Sequence, residues 1–125
     1  MHVATGALAG SATRSRRRAA ALGPLLHLAC DVVPHEDIPS RTFETASGVA
    51  AVLILAWRRG VDAATVGAVA ASAPDLEHIL PLPRPRGRPL FPSHRWARSV
   101  PLRGVPAWLQ LALAVPTIAA LARRS

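Results

Sequence analysis

Five apolar runs, separated by arginines and prolines, constrain what this chain can fold into. The runs cover residues 2–13, 19–33, 42–57, 63–80 and 105–122. The segment 81–103 breaks the pattern, because it holds six of the twelve prolines and six arginines and is therefore predicted to be an extended, irregular loop. We predict one all-α domain over residues 1–125, built from about four to five short helices and this Pro/Arg-rich loop.

The ends of the runs carry residues that start or stop helices. Pro34 stops the second run, Gly60 suits the C-cap of the third, and Asp62 suits the N-cap of the fourth. The fourth run is rich in small residues, Gly67 and Ala68 among them, which would let a neighbouring helix approach closely.

The composition of these runs places the chain at the edge of the membrane-protein class. Hydrophobic residues make up 50% of the chain, and the mean hydropathy is positive. The arginines cluster between the apolar runs, as they do in the loops that flank membrane-spanning helices. We therefore predict a small transmembrane helical bundle in contact with membrane lipid. A soluble bundle is the alternative, because several runs fall short of about 18 clean apolar residues.

The charge is strongly positive and comes from arginine alone. Fifteen arginines and no lysine stand against seven acids, which gives a formal net charge of +8. Six of these arginines lie in the 81–103 segment, on the opposite side of the predicted bundle from the other clusters. Either the orientation of the bundle is inverted, or this charge is retained for a ligand, for which phosphate is the obvious candidate because guanidinium groups bind it bidentately. A nucleic-acid partner is not expected, because the arginines flank apolar runs and stacking aromatics are few.

Two short stretches hold most of the side chains that can bind a metal. The stretch from His27 to Asp37 contains two histidines and three acids in eleven residues. His27 and Asp31 are spaced to share one face of a helix, and so are Asp75 and His78 in the second stretch. Ionisable groups within apolar runs are costly, so their grouping favours a shared functional site over isolated caps or packed polar residues.

Imidazole and carboxylate ligands suit a divalent metal ion such as zinc, manganese or iron, which is the expected cofactor. The candidate metal ligands are His27, Asp31, His35, Asp75, His78 and His94. The candidate general bases, which would take a proton from water, are Glu77 and Asp37. If the helices alternate in direction, the ends that carry His2, His35 and His78 emerge on one side, where such a centre can form.

Segments 74–78 and 93–99 also resemble a known family. Their sequences, Pro-Asp-Leu-Glu-His and Ser-His-Arg-Trp-Ala-Arg-Ser, are similar to paired motifs of the predicted membrane-bound metal-dependent hydrolases, the YdjM-like group of small bacterial inner-membrane proteins. In that family a Pro-Asp-aliphatic-Asp-His segment is followed, across a loop, by His-Arg-Gly-aromatic-Thr-His-Ser. The resemblance implies a multi-pass location in a bacterial inner membrane. It also implies metal binding by Asp75, Glu77, His78 and His94, accompanied by Arg95 and Ser99.

This sequence departs from both family motifs, and the glycine and threonine of the loop motif are not found. Glu77 replaces the second aspartate of the first motif, and Arg98 stands near the place of the second loop histidine. The resemblance therefore covers only part of the family's implied ligand set.

The residues and the resemblance together favour a metal-dependent hydrolase that acts on a phosphoester or lipid-linked substrate. In this hypothesis the metal activates water, and Glu77 or Asp37 takes the proton. Arg95 neutralises the anionic group together with another arginine of the loop, which is Arg84, Arg86, Arg88 or Arg98. The alternative is a non-catalytic small membrane protein with a structural or partner-binding role, in which the same polar residues join helices by hydrogen bonds.

Overall fold

The structure, a computed structural model, describes residues 1–96 and 104–123. Its α-helices are, in chain order, α1 (His2–Thr13), α2 (Arg16–Val32), α3 (Arg41–Arg59), α4 (Ala63–Ser72), α5 (Leu76–Ile79), α6 (Ser93–Trp96) and α7 (Ala107–Arg123). Short 3₁₀ turns lie at Ala73–Asp75 and Pro85–Gly87. The described part of the predicted 81–103 loop is irregular apart from the second of these turns and α6, and residues 97–103 lie outside the described ranges.

The helices do not form the transmembrane bundle that the sequence predicts. Across the described ranges, no helix combines the length and the apolar character that a membrane crossing requires. α7 has 17 residues and extends about 26 Å, short of a hydrocarbon core of about 30 Å. α3 is longer, at 19 residues, but it has charged residues in its first and last turns. The predicted transmembrane architecture and the multi-pass inner-membrane location are therefore wrong, whereas helices are observed where the apolar runs lie.

The helix ends are set by local side chains. Asp62 caps α4, because its carboxylate accepts a hydrogen bond from the backbone N–H of Thr65 at 3.0 Å. Gly60 follows α3 with a φ of 64°, a left-handed conformation that glycine adopts without strain. Pro34 lies just beyond the end of α2 at Val32. The predicted start and stop residues are therefore confirmed.

Replacing Asp62 with alanine is expected to lower the free energy of unfolding by about 1 kcal/mol, the typical value of a lost N-cap. The carboxylate also pairs with Arg59 at 2.7 Å, which ties the end of α3 to the start of α4. Denaturation in urea measures this loss of unfolding free energy. Asp62→Asn keeps a capping oxygen and is expected to lose less, so equal losses in the two variants would contradict the capping role.

Small residues let α4 pack close to α1 and α2. A Cβ atom added to Gly67 would lie 2.2 Å from the carbonyl oxygen of Gly6, so the backbones of α1 and α4 are in contact there. A Cβ atom added to Gly23 of α2 would lie 2.4 Å from the Cβ atom of Ala70. Ala68, also on α4, is fully buried. The prediction that small residues of this run admit a close neighbour is therefore confirmed.

This packing brings the ligand-type side chains to one end of the bundle. α1 begins at that end, α2 and α4 finish there, and α5 follows α4 while α6 contacts α2. The side chains that meet there are His2, His27, Asp31, Asp75, Glu77, His78, Ser93 and His94. Residues from several helical segments can therefore contact one another.

Candidate metal centre

His27 supplies a buried imidazole nitrogen to the centre of the site. Its side chain is fully buried, and its Nδ1 atom lies 2.8 Å from the backbone carbonyl oxygen of Ala71. A carbonyl oxygen only accepts hydrogen bonds, so Nδ1 carries the proton and donates it. The Nε2 atom of the neutral ring then presents a lone pair. That atom lies 3.2 Å from Asp31 Oδ2, one helical turn further along α2.

His94 presents its Nε2 atom in the same way, held by Glu77. The Nδ1 atom of His94 donates to Oε1 of Glu77. The buried Glu77 carboxylate also accepts hydrogen bonds from the backbone N–H groups of Leu90 and Phe91. Burial alone would raise the pKa of Glu77, but these three donors outweigh burial and lower the pKa. Glu77 is therefore an ionised acceptor that orients His94.

Four ligand-type atoms converge at the centre of the site, and they include the Nε2 atoms of the two histidines. The Nε2 atoms of His27 and His94 lie 3.1 Å apart, and Asp75 Oδ1 lies 3.7 Å from each. Asp31 Oδ2 completes the group, at 3.2 Å from His27 Nε2 and 3.7 Å from His94 Nε2. Ligands at about 2.0–2.1 Å from a tetrahedral zinc ion lie about 3.3–3.4 Å from one another. The two Nε2 atoms lie 3.1 to 3.7 Å from each other and from the two carboxylate oxygens, which brackets that value, so these side chains fit a divalent metal ion.

The electrostatics of the group favour a positive charge at its centre. Both imidazoles donate through Nδ1, so two lone pairs face each other beside two carboxylates. Burial would lower the pKa of His27, but the carboxylates of Asp31 and Asp75 and the Ala71 carbonyl outweigh burial and raise it. Burial would raise the pKa of Asp31, but the hydrogen bond that His27 donates when its ring is protonated, together with the one from Ser93, outweighs burial and lowers it to about 2. A metal ion would supply the positive charge that this arrangement stabilises.

The sequence predicts that His2 lies at the end of the bundle where the site forms, but it assigns neither His2 nor Ser93 a role in the site. Ser93 Oγ donates to Asp31 Oδ2, and His2 Nε2 lies 3.3 Å from the other carboxylate oxygen, Oδ1. The His2 ring stacks on that of His27 with centroids 4.0 Å apart, and its buried Nδ1 has no hydrogen-bond partner among the described residues. The sequence signals are weak, because His2 begins an apolar helix and Ser93 merely precedes a candidate ligand. Together they contact both oxygens of Asp31.

The remaining predicted residues lie beside the four-atom group or away from it. His78 is exposed, and its ring lies against that of His94 with centroids 4.2 Å apart. The Nδ1 atom of His35 instead lies 2.8 Å from a backbone carbonyl oxygen of its own loop. Asp37 is exposed and belongs to none of the groups of closely spaced ligand atoms in the described chain. The predicted residues outside the described ranges are Arg98 and Ser99.

An open cavity adjoins the site next to His94. It has a volume of about 280 Å³ and is lined by Arg88, Pro89, His94 and Arg95. The Nε atom of Arg95 donates to the carbonyl oxygen of Pro89 at 2.9 Å, which holds the guanidinium at the cavity wall. Arg95, a predicted substrate-binding residue, therefore lies beside a candidate metal ligand.

Comparisons with protein-family models, with curated proteins and with solved structures find no match for this chain. The resemblance of segments 74–78 and 93–99 to a hydrolase family therefore stays a prediction. What supports a metal centre is the arrangement of His27, Asp31 and His94 with the carboxylate of Asp75.

Proposed function

We propose that His27, Asp31, Asp75 and His94 bind one divalent metal ion and that the protein is a metal-dependent hydrolase. The observation that carries the proposal is the 3.1 Å separation of two imidazole Nε2 atoms, each in a ring whose Nδ1 already donates to an acceptor. Metal-binding histidines usually donate their other N–H to a carbonyl or carboxylate group, which fixes the tautomer. Here the acceptor is a backbone carbonyl for His27 and a carboxylate for His94.

The set of donor atoms suits zinc, manganese or iron. These ions accept mixed nitrogen and oxygen ligands, whereas calcium takes oxygen ligands. A zinc ion held by these residues would lower the pKa of bound water from about 15.7 to about 7 and so would supply a nucleophile at neutral pH. Asp75 lies at the open side, because its side chain is 38% exposed while those of His27 and Asp31 are 0% and 9% exposed. Water therefore reaches the centre from the side of Asp75.

Other side chains hold the ligands in place. Ser93 and His2 contact the two oxygens of Asp31, and Glu77 holds His94. The sequence makes Glu77 a candidate general base, but its buried carboxylate already accepts three hydrogen bonds. We therefore assign Glu77 a positioning role, in which it orients His94 toward the metal.

A purely structural metal centre is the second candidate function. The four ligands come from α2, from the 3₁₀ turn before α5 and from α6, so an ion would join separate segments of the chain. Structural zinc sites are closed by protein ligands, whereas catalytic sites keep one position open for water. Four protein ligands fill a tetrahedral site, so the catalytic function requires water to bind as a fifth ligand or to replace Asp75, whose side chain is the most exposed of the four at 38%.

The metal content of the purified protein tests the proposal. After loading with zinc and dialysis, mass spectrometry is expected to find about one ion per chain. Added zinc is also expected to raise the thermal unfolding temperature, because an ion that binds only the folded chain stabilises it by about 2.7 kcal/mol at 100 times its Kd.

A His35→Gln variant is the control for this measurement, because it replaces a histidine that is not a proposed ligand. The His35 ring contacts its own loop and lies outside the four-atom group, so the variant is expected to retain the ion. A wild-type protein that retains no zinc, manganese or iron after loading would contradict the proposal.

A further inference from the structure

The cavity beside His94 carries two arginines that the proposed metal centre does not use. We propose that Arg88 and Arg95 bind a phosphoryl group of the substrate, so that the centre acts on phosphoesters. This inference rests on the proposed function, because it places the anionic group of the substrate next to a metal ligand.

Both guanidinium groups are available to a ligand. Arg88 and Arg95 are exposed, and within residues 1–96 and 104–123 neither forms an ion pair with an acid. Arg95 uses its Nε atom on the Pro89 carbonyl, which leaves its terminal amino groups to donate to a ligand. Two like charges on one cavity wall repel each other, and a bound anion would remove that repulsion. The cavity therefore favours an anionic ligand.

The loop that presents both arginines is tied to the metal site through one side chain. Glu77 accepts hydrogen bonds from the N–H groups of Leu90 and Phe91, which lie between the two arginines in the chain. The same carboxylate accepts a hydrogen bond from His94. Glu77 therefore fixes the arginine loop and a metal ligand in one arrangement.

The donor groups of the cavity fit a phosphoryl group, and its size leaves room for the rest of a small ester. Its volume of about 280 Å³ lies just below the range of about 300–1,000 Å³ that is typical of sites for drug-sized ligands. A phosphoryl group has three acceptor oxygens and nearly two negative charges at neutral pH. Two guanidinium groups offer enough paired N–H donors for these oxygens, whereas a carboxylate occupies only one guanidinium.

The reaction that follows from this placement is ester hydrolysis. The oxygen of water forms a bond to phosphorus while the ester bond between phosphorus and oxygen breaks, and the electron pair leaves with the alcohol oxygen. The proton lost by water is balanced by the proton that the alcohol oxygen gains. The products are an alcohol and inorganic phosphate, and the reaction consumes only water.

Inorganic phosphate, titrated into the zinc-loaded protein and followed by calorimetry, is the first probe. Arg88→Gln and Arg95→Gln are each expected to weaken phosphate binding by at least about tenfold, because each removes a charge-assisted contact. The matched control is Arg86→Gln, since Arg86 lies on the same loop but does not line the cavity. This control is expected to bind phosphate as the wild type does.

The zinc content of every variant separates this inference from the proposed function. Variants that keep zinc and lose phosphate binding support the phosphoryl site. Three results would overturn the phosphoryl site without affecting the metal centre. The wild type could hold a full zinc ion but bind no phosphate, both arginine variants could bind phosphate as the wild type does, or acetate could compete equally well. A wild-type protein without zinc would overturn the metal centre and, with it, this substrate class.

A phosphoryl group can belong to a soluble phosphoester or to a lipid headgroup, and two further probes separate these sources. Phenyl phosphate represents the soluble source. Phosphatidylcholine vesicles that contain phosphatidic acid represent the lipid source, with binding followed by sedimentation. The source is identified by the probe whose binding is weakened in Arg88→Gln and Arg95→Gln. If these variants bind both probes as the wild type does, the inference is overturned.

Discussion

Replacing Gly67 with alanine is expected to destabilise the protein by about 1–3 kcal/mol, the usual cost of forcing an extra methyl group into a packed interior. The added Cβ atom would lie 2.2 Å from the carbonyl oxygen of Gly6 and 3.1 Å from Cα of Gly10. These are backbone atoms of α1, which cannot rotate away as a flexible side chain can, so the two helices would have to separate. Helix propensity acts in the opposite direction, because alanine is about 1 kcal/mol better than glycine within a helix. A measured loss of unfolding free energy would therefore show that the backbones of α1 and α4 are in contact at Gly67.

The matched control for this crossing is Gly48→Ala in α3. Among the described residues, a Cβ atom added to Gly48 would meet only Val3 Cγ2, at 3.7 Å, which is an ordinary van der Waals contact. This substitution is expected to stabilise the protein by about 0.5–1 kcal/mol, because only helix propensity changes. Urea denaturation of both variants gives the two free energies of unfolding. Stabilisation of both would show that α1 and α4 do not touch at Gly67.

The crossing at Gly67 also affects the metal site, since α1 begins and α4 finishes beside that site. α4 carries the Ala71 carbonyl that accepts the Nδ1 proton of His27, and α1 begins with His2, which contacts Asp31. Both contacts are made by α2, which cannot follow α1 and α4 at once, so a separation of these two helices would weaken at least one of the contacts. The stability of the fold and the arrangement of the ligands therefore depend on the same close approach.

Features set by neighbouring residues could be predicted from the sequence. Asp62 and Gly60 mark helix ends because capping depends on a few adjacent residues. His27 and Asp31 meet because residues spaced i and i+4 are neighbours on one helix. The position of Asp75 relative to this pair depends on how α2 crosses α4, which no local spacing determines.

The role of Glu77 also depends on contacts that no local spacing determines. Its partners lie 13 to 17 residues further along the chain, in a loop whose composition predicts only irregular structure. A carboxylate close to candidate ligands suggests a general base or a ligand when only the sequence is known. The fold instead gives this carboxylate three donors, and with them a positioning role.

The transmembrane prediction failed because alanine, a small residue, supplies much of the apolar character of the runs. Such residues are fully buried where α1 meets α4, as Ala7, Ala64 and Ala68 show. Mean hydropathy measures how apolar a segment is and does not tell whether protein or lipid covers it. The short helices with small side chains thus resemble membrane segments in composition, although none has the length and apolar character to cross a membrane in the described ranges.

Replacing His94 with glutamine is expected to weaken zinc binding by at least about 100-fold. The substitution removes the Nε2 atom that lies 3.1 Å from its counterpart on His27 and 3.7 Å from Asp75 Oδ1. Loss of a ligand costs more than loss of an outer-shell partner, which typically costs about 10- to 100-fold in metal affinity. Competition with a chromophoric chelator measures the affinity. Circular dichroism and the urea midpoint show whether the variant remains folded.

The matched control is His78→Gln, because the His78 ring lies against that of His94 but is exposed and outside the four-atom group. This variant is expected to bind zinc nearly as tightly as the wild type. Equal losses in both variants would move the metal to the neighbouring group of Glu77, His78 and His94, which the family resemblance also implies. Full affinity in His94→Gln would instead exclude His94 from the ligand set, and the facing imidazoles would then be a hydrogen-bonded pair that shares a proton.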